Sequence, residues 1–510
     1  MSSALCVAII GAGSAGLTAA QQLLQVAPEH FAPVIFELRD RVGGLWHYDP
    51  KPGPCTLRLS HGPHVTGRAD WDGTPASAMY DGLFTNIASD LMAFRDSPFV
   101  PNTPLFPQRA QVLEYLEQFA RDQGLLRYVR TRTHIDRVVR TAHDPVSRKS
   151  KWRVTSHSLD NGTSTDEEYD FIVAASGRCT IPRVPVIPGM EHFRGRQVHS
   201  AWYRFPDEFR GERVLVVGNN SSGSDIAREL CGGVKREFPG VGAWNSDQGV
   251  RGTTVYQVYR RPELPPPMDY DPRSPDSPEW CRRINVVGAI SRITPSGIVE
   301  TVTGESLEID TIVWATGYLY TFPYLDHSVE PFASRPVIPE RGDDYTEVVN
   351  DYRAASVPHN LDDWLLFYRH DQSICFLGLP NRIVPFPMAQ LQARIAAHIW
   401  ADKIPPLPPA QSSKGPEDPA RWQPSSGDTP IPLRSLTFGA DSEDAYHDTM
   451  TAFLPGEHSK VRPPSEQAYL EHGDGVGGGP HGHENWYQFA QWRRDRRRAG
   501  RSLRQTLVGY

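Results

Sequence analysis

Two short apolar segments of the chain are each followed at once by a glycine-rich turn and an Ala/Leu-rich helical pattern. They are CVAIIGAGSAGLTAAQQLL at residues 6–24 and RVLVVGNNSSGSDIAREL at residues 213–230. A strand, a glycine turn and a helix in this order are typical of dinucleotide-binding domains, because N–H groups at the helix start can donate hydrogen bonds to a pyrophosphate. The sequence between them is unlike either segment, so we expect two nucleotide-binding domains of one architecture rather than a short tandem repeat.

Two further apolar segments, YDFIVAASG (169–177) and DTIVWATGY (310–318), each close on a small residue and a glycine and bracket the second unit. We expect the chain to leave the first domain after Gly177, to build the second domain, and to return near Gly317. The predicted fold class is α/β, with two dinucleotide-binding, Rossmann-like domains, the second inserted in the first. The predicted boundaries are 1–180 for the first part of the first domain, 181–318 for the inserted domain, and 319–510 for the second part with a C-terminal extension.

The first glycine turn, GAGSAG, places Gly11, Gly13 and Gly16 at the spacing G-x-G-x-x-G, which lets a pyrophosphate approach the backbone closely. The strand APVIFELRD that follows ends in Glu37. A carboxylate at this place can accept hydrogen bonds from both ribose hydroxyls of an adenosine and repels a 2′-phosphate. The pattern therefore predicts a site for FAD or NAD, with a glycine turn that binds no ligand as the alternative.

The second turn has Gly218 and Gly223, but Asn220 replaces the middle glycine. Asn adopts the left-handed backbone conformation more readily than other non-glycine residues, so the turn can still form. The strand TTVYQVYRRP then ends in Arg260 and Arg261. A guanidinium there can bind a 2′-phosphate through two hydrogen bonds, which predicts a site for NADP(H). Two surface arginines without a ligand are the alternative.

Length and composition indicate a globular protein with more than one domain. A chain of 510 residues exceeds what one hydrophobic core usually organises. The hydrophobic share of 39% and the charged share of 22% are typical of globular proteins, and the net charge of −7 argues against a nucleic-acid partner. The arginine-rich segment QWRRDRRRAGRSLR (491–504) is the local exception, and we interpret it as a solvated helix face, with a docking patch as the alternative.

The six cysteines are scattered without a close pair, which suits a reducing compartment and argues against a disulfide reductase. No segment approaches the 18 apolar residues of a membrane-spanning helix, and the apolar start runs directly into glycines. We therefore expect a cytoplasmic protein without an integral membrane segment. The histidines of SHGPH (60–64) and PHGHE (480–484) lack Cys or carboxylate partners at ligand spacing, so no metal site is predicted.

The segment HFRGRQVHSAWY (192–203) carries a family signature. Its Phe193, Gly195, His199 and Tyr203 match F-x-G-x-x-x-H-x-x-x-(Y/F) of the flavin-containing monooxygenases, and lie between the two glycine turns as in that family. The sequence resembles this family of class B flavoprotein monooxygenases, and within it the soluble fungal-type members. In the related Baeyer–Villiger enzymes the last signature position is a tryptophan followed by Pro or Asp, whereas Tyr203 is followed in this chain by Arg.

Other matches extend the resemblance over at least residues 5–400. They are Glu37 with GGLW (43–46), YDGLFTNIASDLMAF (80–94), ATGY (315–318) and FLGLPNRIVPFPMAQLQA (376–393). The sequence departs from the family pattern at Asn220, which replaces the usual glycine, and in NIASDLM, which lacks the proline that commonly follows Thr-Asn.

The resemblance implies FAD in the first domain, NADPH in the inserted domain, and a small-molecule nucleophile and O2 as substrates. NADPH would reduce the flavin, and a nitrogen or sulfur atom of the substrate would take oxygen from a flavin hydroperoxide. Two alternatives remain: Baeyer–Villiger oxygenation of a ketone, and an NADPH-consuming flavin oxidase that transfers no oxygen. The resemblance leaves open whether the protein forms a homodimer.

The resemblance also assigns site residues. Asn86 in LFTN matches the active-site asparagine near the reactive edge of the flavin, with a residue of an Asx-turn as the alternative. His199 would shape the interdomain linker or transfer a proton, with a histidine bonded only to backbone groups as the alternative. The predicted cofactor-binding residues are Gly11, Gly13, Ser14, Gly16, Glu37, Gly44, Leu45, Trp46, Asn86, Gly218, Asn220, Ser221, Ser222, Gly223, Arg260, Arg261, Thr316 and Gly317.

Overall fold

The fold is taken from a computed structural model. It describes residues 4–58, 64–67, 77–95, 97–144, 149–233, 252–267, 270–338, 358–408, 436–455, 476–477 and 491–508. The α-helices are α1 (Ser14–Val26), α2 (Ser89–Met92), α3 (Arg109–Asp122), α4 (Ser221–Leu230), α5 (Glu279–Arg282), α6 (Pro385–Trp400), α7 (Ala440–Ala452) and α8 (Gln491–Leu507).

The strands are mostly short, and their numbers follow the order of the chain. They are β1 (Leu5–Ile10), β2 (Phe31–Phe36), β3 (Cys55–Arg58), β4 (His64–Gly67), β5 (Thr103–Pro104), β6 (Val129–Arg130), β7 (Thr133–Asp144), β8 (Lys149–Ser158), β9 (Ser164–Tyr169), β10 (Phe171–Ala174), β11 (Ile181–Pro182), β12 (Arg196–His199), β13 (Arg213–Val217), β14 (Thr254–Val258), β15 (Asn285–Val287), β16 (Ile290–Ile293), β17 (Val299–Thr301), β18 (Ser306–Leu307), β19 (Thr311–Trp314), β20 (Tyr318–Leu319), β21 (Phe367–Tyr368), β22 (Asp371–Phe376) and β23 (Val476–Gly477).

The first large sheet has the strand order β21-β22-β10-β1-β2-β6, and its neighbours are parallel except for β21. Strand β1 has the sequence LCVAII, and an uninterrupted apolar run of this kind is typical of a central strand covered on both faces. Helix α6 is buried along nearly its whole length and packs on α1, where Gln390 donates to Gln21 at 3.1 Å. This sheet carries the first glycine turn.

The second large sheet has the order β12-β19-β13-β14-β15 and is wholly parallel. All of its strands lie in the chain between β10 and β22, which are hydrogen-bonded neighbours in the first sheet. The described residues form a separate apolar core around each sheet. The predicted fold class, with two Rossmann-like domains of which one is inserted in the other, is confirmed. The boundaries at residues 180 and 318 stay a prediction.

The C-terminal arginine-rich segment forms α8, and its prediction as a solvated helix face is correct for one side of the helix only, where Asp495, Arg498 and Ser502 are exposed. Arg493 and Arg504 are buried, at 3% and 4% exposure. Their guanidinium groups contact acceptors in other parts of the protein, so the charges that suggested solvation are compensated within the fold. Among the described residues, no helix combines the length and the apolar character needed to cross a membrane.

Candidate functional site

The first glycine turn connects β1 to α1 with very little space around it. Gly11 has φ +107°, and a Cβ there would lie 2.5 Å from the carbonyl oxygen of Ala175. A Cβ on Gly16 would lie 1.8 Å from the carbonyl oxygen of Gly11. The first glycine is required by its backbone conformation and the third by the close approach of the helix to the strand.

A glycine-lined cleft lies at the N-terminus of α1. Gly13 is the N-cap of α1, and Gly44, at φ +55°, approaches it so closely that a Cβ on Gly44 would lie 2.8 Å from the Gly13 Cα. Residues Gly44–Trp46 form a short 3₁₀ helix in which Leu45 is exposed, while the Trp46 ring contacts Phe386 edge-on at 6.3 Å. Ser14 is the first residue of α1. The N–H groups of a helix start, set beside glycines, suit the pyrophosphate of FAD.

Glu37 lies directly after β2 and is bonded to the same turn. Its Oε2 accepts from the Ala12 N–H at 2.7 Å, and its Oε1 accepts from the Arg39 N–H at 2.8 Å. Burial raises the pKa of this carboxyl group, although the backbone donors oppose the change. Each oxygen can accept a further hydrogen bond, so the group remains suited to ribose hydroxyls.

The second turn repeats the geometry of the first. Gly218 has φ +123°, and a Cβ added to it would lie 2.5 Å from the Ala315 carbonyl oxygen. A Cβ added to Gly223 would lie 2.1 Å from the Gly218 carbonyl oxygen. Asn220 has φ −88° and ψ −171°, close to the values of Gly13. The expectation that Asn220 is tolerated because it adopts the left-handed conformation is therefore wrong, since this position of the turn is extended.

Serines and arginines surround the second turn. Ser221 and Ser222 are the first two residues of α4, so their N–H groups lie among the donors of the helix start that have no partner within the helix. Arg260 and Arg261 are exposed and follow β14, whose Val258 pairs with the last residue of β13. Because parallel neighbours end at one edge of a sheet, both arginines lie on the side of the turn.

Asn86 connects the first domain to this second turn. Its Nδ2 donates to the Ser221 Oγ at 3.1 Å. Backbone hydrogen bonds hold the surrounding loop, from the Thr85 N–H to the Pro107 carbonyl at 2.9 Å and from the Ser89 N–H to the Leu105 carbonyl at 2.7 Å. The N-cap of the following helix α2 is Ala88, so the Asn86 side chain is not its cap.

His199 is buried at the end of β12, and both ring nitrogens are bonded to the backbone. Nδ1 accepts from the Ala201 N–H at 3.2 Å, and Nε2 lies 3.0 Å from the Gly317 carbonyl oxygen. Burial lowers the pKa of His199 to about 3. The neutral ring thus holds the turn of Thr316 and Gly317, where the Thr316 hydroxyl also donates to the Arg183 carbonyl. This arrangement matches the alternative of a histidine bonded only to backbone groups and argues against proton transfer, while the linker role stays a prediction.

The remaining signature residues pack the inserted domain. Phe193 belongs to its core, and a Cβ on Gly195 would lie 2.2 Å from the Asp310 carbonyl oxygen. Tyr203 is fully buried, and its hydroxyl donates to the Glu229 Oε2 at 2.6 Å. Burial raises the pKa of Glu229 to about 8. The signature therefore combines the linker histidine with contacts that fix α4.

The sequence analysis did not predict two groupings of polar side chains. Arg382, in the matched segment at 376–393, extends its Nη2 to within 3.4 Å of the Asn220 Oδ1, so the second part of the first domain also reaches the second turn. His134, Asp136 and His157 are joined by hydrogen bonds on the β7–β8 hairpin and have ligand spacing for a metal ion. Both groupings depend on strand pairing and loop packing, which no local motif signals. The predicted absence of a metal at residues 60–63 and 480–484 lies outside the described residues.

Comparisons with known proteins agree with this geometry. A family model described as "Flavin-binding monooxygenase-like" matches residues 4–244. The chain is 34% identical over 332 residues to the flavin-containing monooxygenase FMO GS-OX5 of Arabidopsis thaliana, which is 64% of this chain and 62% of that protein. It is 30% identical over 441 residues to FMO GS-OX2 of the same plant, covering 84% of this chain and 80% of that protein. The solved structure of an S-allyl-L-cysteine S-oxygenase from Allium sativum has a TM-score of 0.62 at 24% identity, covering 99% of this chain and 93% of that one.

Proposed function

Because the chain belongs to the flavin-containing monooxygenase family, whose members are FAD-dependent enzymes, we propose that it uses NADPH and O2 to oxygenate a nitrogen or sulfur atom of a small molecule. The observation that carries this proposal is the pair of matching glycine turns, one followed by Glu37 and the other by Arg260 and Arg261. An acidic residue at the first turn and basic residues at the second suit two different dinucleotides.

The cleft of Gly11, Gly13 and Gly44 would hold the pyrophosphate of FAD at the N-terminus of α1, and Glu37 would accept from the ribose. When bound, the flavin supplies electron transfer and the activation of O2. Glu37 is buried with both oxygens already on backbone donors, so the acid is held in place before the nucleotide arrives. Such preorganisation lowers the entropic cost of binding.

NADPH would bind at the second turn. The N–H groups of Ser221 and Ser222 would donate to its pyrophosphate, and Arg260 or Arg261 would pair with the 2′-phosphate. Asn220 presents its side chain beside this turn, where it already contacts Arg382 at 3.4 Å. These residues bind the nucleotide, and the coenzyme itself carries the reducing equivalents.

The protein contributes position and the exclusion of water. Asn86 holds the loop of the first domain against Ser221, at the junction of the two nucleotide sites, where its amide can also donate to a bound cofactor. His199, through the Gly317 carbonyl, holds the linker between the domains. Oxygen transfer to a soft nucleophile needs an oriented, dry site rather than a nucleophilic side chain.

The test is a product analysis of the purified holoenzyme with NADPH and three substrates: a thioether, a tertiary amine and a cyclic ketone. The proposal expects a sulfoxide or an N-oxide in amounts that match NADPH consumption. A lactone as the main product would establish Baeyer–Villiger chemistry instead. Hydrogen peroxide equal to the NADPH consumed with every substrate would establish an oxidase. A thioether is offered first because the fold is shared with an S-oxygenase.

We propose a cytoplasmic location on the basis of the cysteines. All six lie in the described part of the chain and none of them forms a disulfide bond there, in agreement with a reducing compartment. Burial raises the pKa of Cys55 to about 11 and of Cys231 to about 12, so these thiols resist oxidation as well. Fractionation of the native host tests the location, and light scattering of the purified protein tests the homodimer.

A further inference from the structure

Helix α8 is held by ion pairs to both α2 and α7. Arg496 pairs with Asp90 of α2 at 3.0 Å, and Arg497 pairs with Glu443 of α7 at 3.3 Å. The side chains of Asp90 and Glu443 are only 3% and 2% exposed, so the arginines of α8 pair with carboxylates that are buried in the fold. Further pairs to α7 are Arg494 with Asp444 and Asp448, and Arg498 with Asp441 and Asp444.

The apolar side of α8 packs on the loop that carries Asn86. Trp492, Leu503 and Leu507 lie against one small core. The buried members of that core are Phe84, Ala88, Leu91, Leu105, Phe106, Val384 and Val508. Phe84 and Ala88 are each two residues from Asn86, so α8 supports the loop that carries Asn86.

The same helix reaches the inserted domain through Arg504. The Arg504 Nη2 lies 3.3 Å from the Asp225 Oδ1, and the two side chains are 5% and 7% exposed. Asp225 is one helical turn beyond Ser221 in α4. It also pairs with Arg228 at 2.7 Å and accepts from the Tyr80 hydroxyl of the first domain.

A second connection runs through Arg382. The Arg497 Nη2 donates to the Arg382 carbonyl at 2.8 Å, and the Arg382 side chain contacts Asn220. Arg382 has φ +58°, an unusual backbone conformation for a residue with a side chain. A hydrogen bond to its carbonyl therefore helps to hold the guanidinium at the second turn.

We propose that α8 is an interdomain strap, in which Arg504 is a positioning residue that holds α4, and with it the second nucleotide turn, against the loop of Asn86. In consequence, the strap sets how firmly the nicotinamide nucleotide is held beside the flavin. This consequence rests on the proposed function, whereas the strap itself does not.

The experiment compares Arg504→Met with Arg498→Met in the full-length holoenzyme. Both remove one guanidinium from α8, but the ion pairs of Arg498 within the described part of the chain go to Asp441 and Asp444 of α7 alone. Hydrogen exchange without coenzyme should become about tenfold faster in residues 221–230 for Arg504→Met, since the loss of a charge-assisted hydrogen bond makes local opening of α4 easier. Arg498→Met should leave residues 221–230 unchanged.

NADP⁺ binding is the second readout. Arg504→Met should weaken it about tenfold and lower the ratio of product to NADPH, while the FAD content of the folded protein stays close to that of Arg498→Met. A purely structural role would instead lower stability and FAD content together and leave NADP⁺ affinity unchanged in the folded fraction. Arg504→Lys keeps the charge but not the guanidinium geometry, so its NADP⁺ affinity should lie between that of Arg504→Met and that of the wild type.

Unchanged exchange in residues 221–230 of Arg504→Met would overturn the strap. If this variant does not fold, the same measurements on Arg504→Lys decide the matter, because an ammonium group cannot reproduce the guanidinium geometry. Wild-type exchange and affinity in that variant would also overturn the proposal. If NADPH fails to reduce the wild-type flavin, the proposed function fails, while the exchange experiment still tests the strap.

Discussion

The Asn86 Nδ2 lies 3.1 Å from the Ser221 Oγ, which joins a loop of the first domain to the first residue of α4 in the inserted domain. The two residues are 135 positions apart in the chain. Since the proposed flavin cleft lies in the first domain and α4 begins at the proposed NADPH turn, this hydrogen bond lies where the two proposed cofactors would meet.

Replacing Asn86 by Ala should uncouple the enzyme. FAD binding and flavin reduction depend on the glycine turns and should persist. The ratio of oxygenated product to NADPH consumed should fall by up to about tenfold, because an ordinary hydrogen bond contributes about 0.5–1.5 kcal/mol. The measurement follows product, NADPH and hydrogen peroxide in one assay. Asn161→Ala, on an exposed hairpin, is the matched control. Unchanged coupling would mean that Asn86 is only a loop residue.

Replacing Arg260 or Arg261 by Ala should weaken NADPH binding about tenfold to a hundredfold and leave NADH binding nearly unchanged, since only NADPH offers a 2′-phosphate. The maximal rate of flavin reduction should change little. Stopped-flow reduction at varied coenzyme concentration gives both quantities. Arg283→Ala removes a surface arginine of the same domain that pairs with Glu279, and should change neither. Equal use of both coenzymes by the wild type would refute this site.

Gly13→Ala should separate folding from FAD binding. The added Cβ would lie 3.6 Å from the Gly44 Cα, an ordinary contact, so the apoprotein should keep its thermal stability. The methyl group would occupy the cleft, and FAD affinity should fall by at least about tenfold, the effect of losing roughly one good hydrogen bond to the pyrophosphate. Flavin absorbance per chain measures the loss. Gly439→Ala, at another helix N-cap with open space around it, should stay fully loaded.

Glu229 should make stability depend on pH. Its pKa is about 8 in the fold, against 4.5 for the free side chain. A raised pKa means that the fold favours the protonated form, so the stabilisation is complete below pH 4.5 and is lost as the pH rises through 8. The free energy of unfolding should therefore fall relative to Glu229→Gln across this range, by at most about 1.4 kcal/mol per pH unit.

Denaturant unfolding at several pH values measures this difference. Glu279→Gln is the control, because hydrogen bonding to Arg283 lowers the pKa of Glu279 instead of raising it. Well above pH 4.5, Glu279 is then ionised in both the folded and the unfolded chain, so its difference from the wild type should stay constant there. A constant difference for Glu229→Gln as well would show that Glu229 is ionised in the fold.

Much of the site follows from local sequence. Strand, turn and helix at residues 6–24 and 213–230 are specified by short-range rules: apolar runs form buried strands, and only glycine fits where φ is positive or where a helix touches the preceding strand. The acidic Glu37 and the basic Arg260 and Arg261 likewise lie just after the ends of two strands, so local sequence also places these charges. For this reason the fold class and the candidate nucleotide sites could be predicted.

The sequence by itself determined two strand–turn–helix units and their order, since each unit is encoded within one continuous strand–helix–strand segment of the chain, Leu5–Phe36 and Arg213–Val258. Only the tertiary structure decided what joins them. Asn86 meets Ser221, and Arg504 meets Asp225 across 279 positions of the chain. An arginine-rich helix has the same sequence pattern whether solvated or docked, because the pattern does not show which acids lie opposite it. Long-range packing supplied those acids, and through them docked one side of α8, with Arg493 and Arg504 buried.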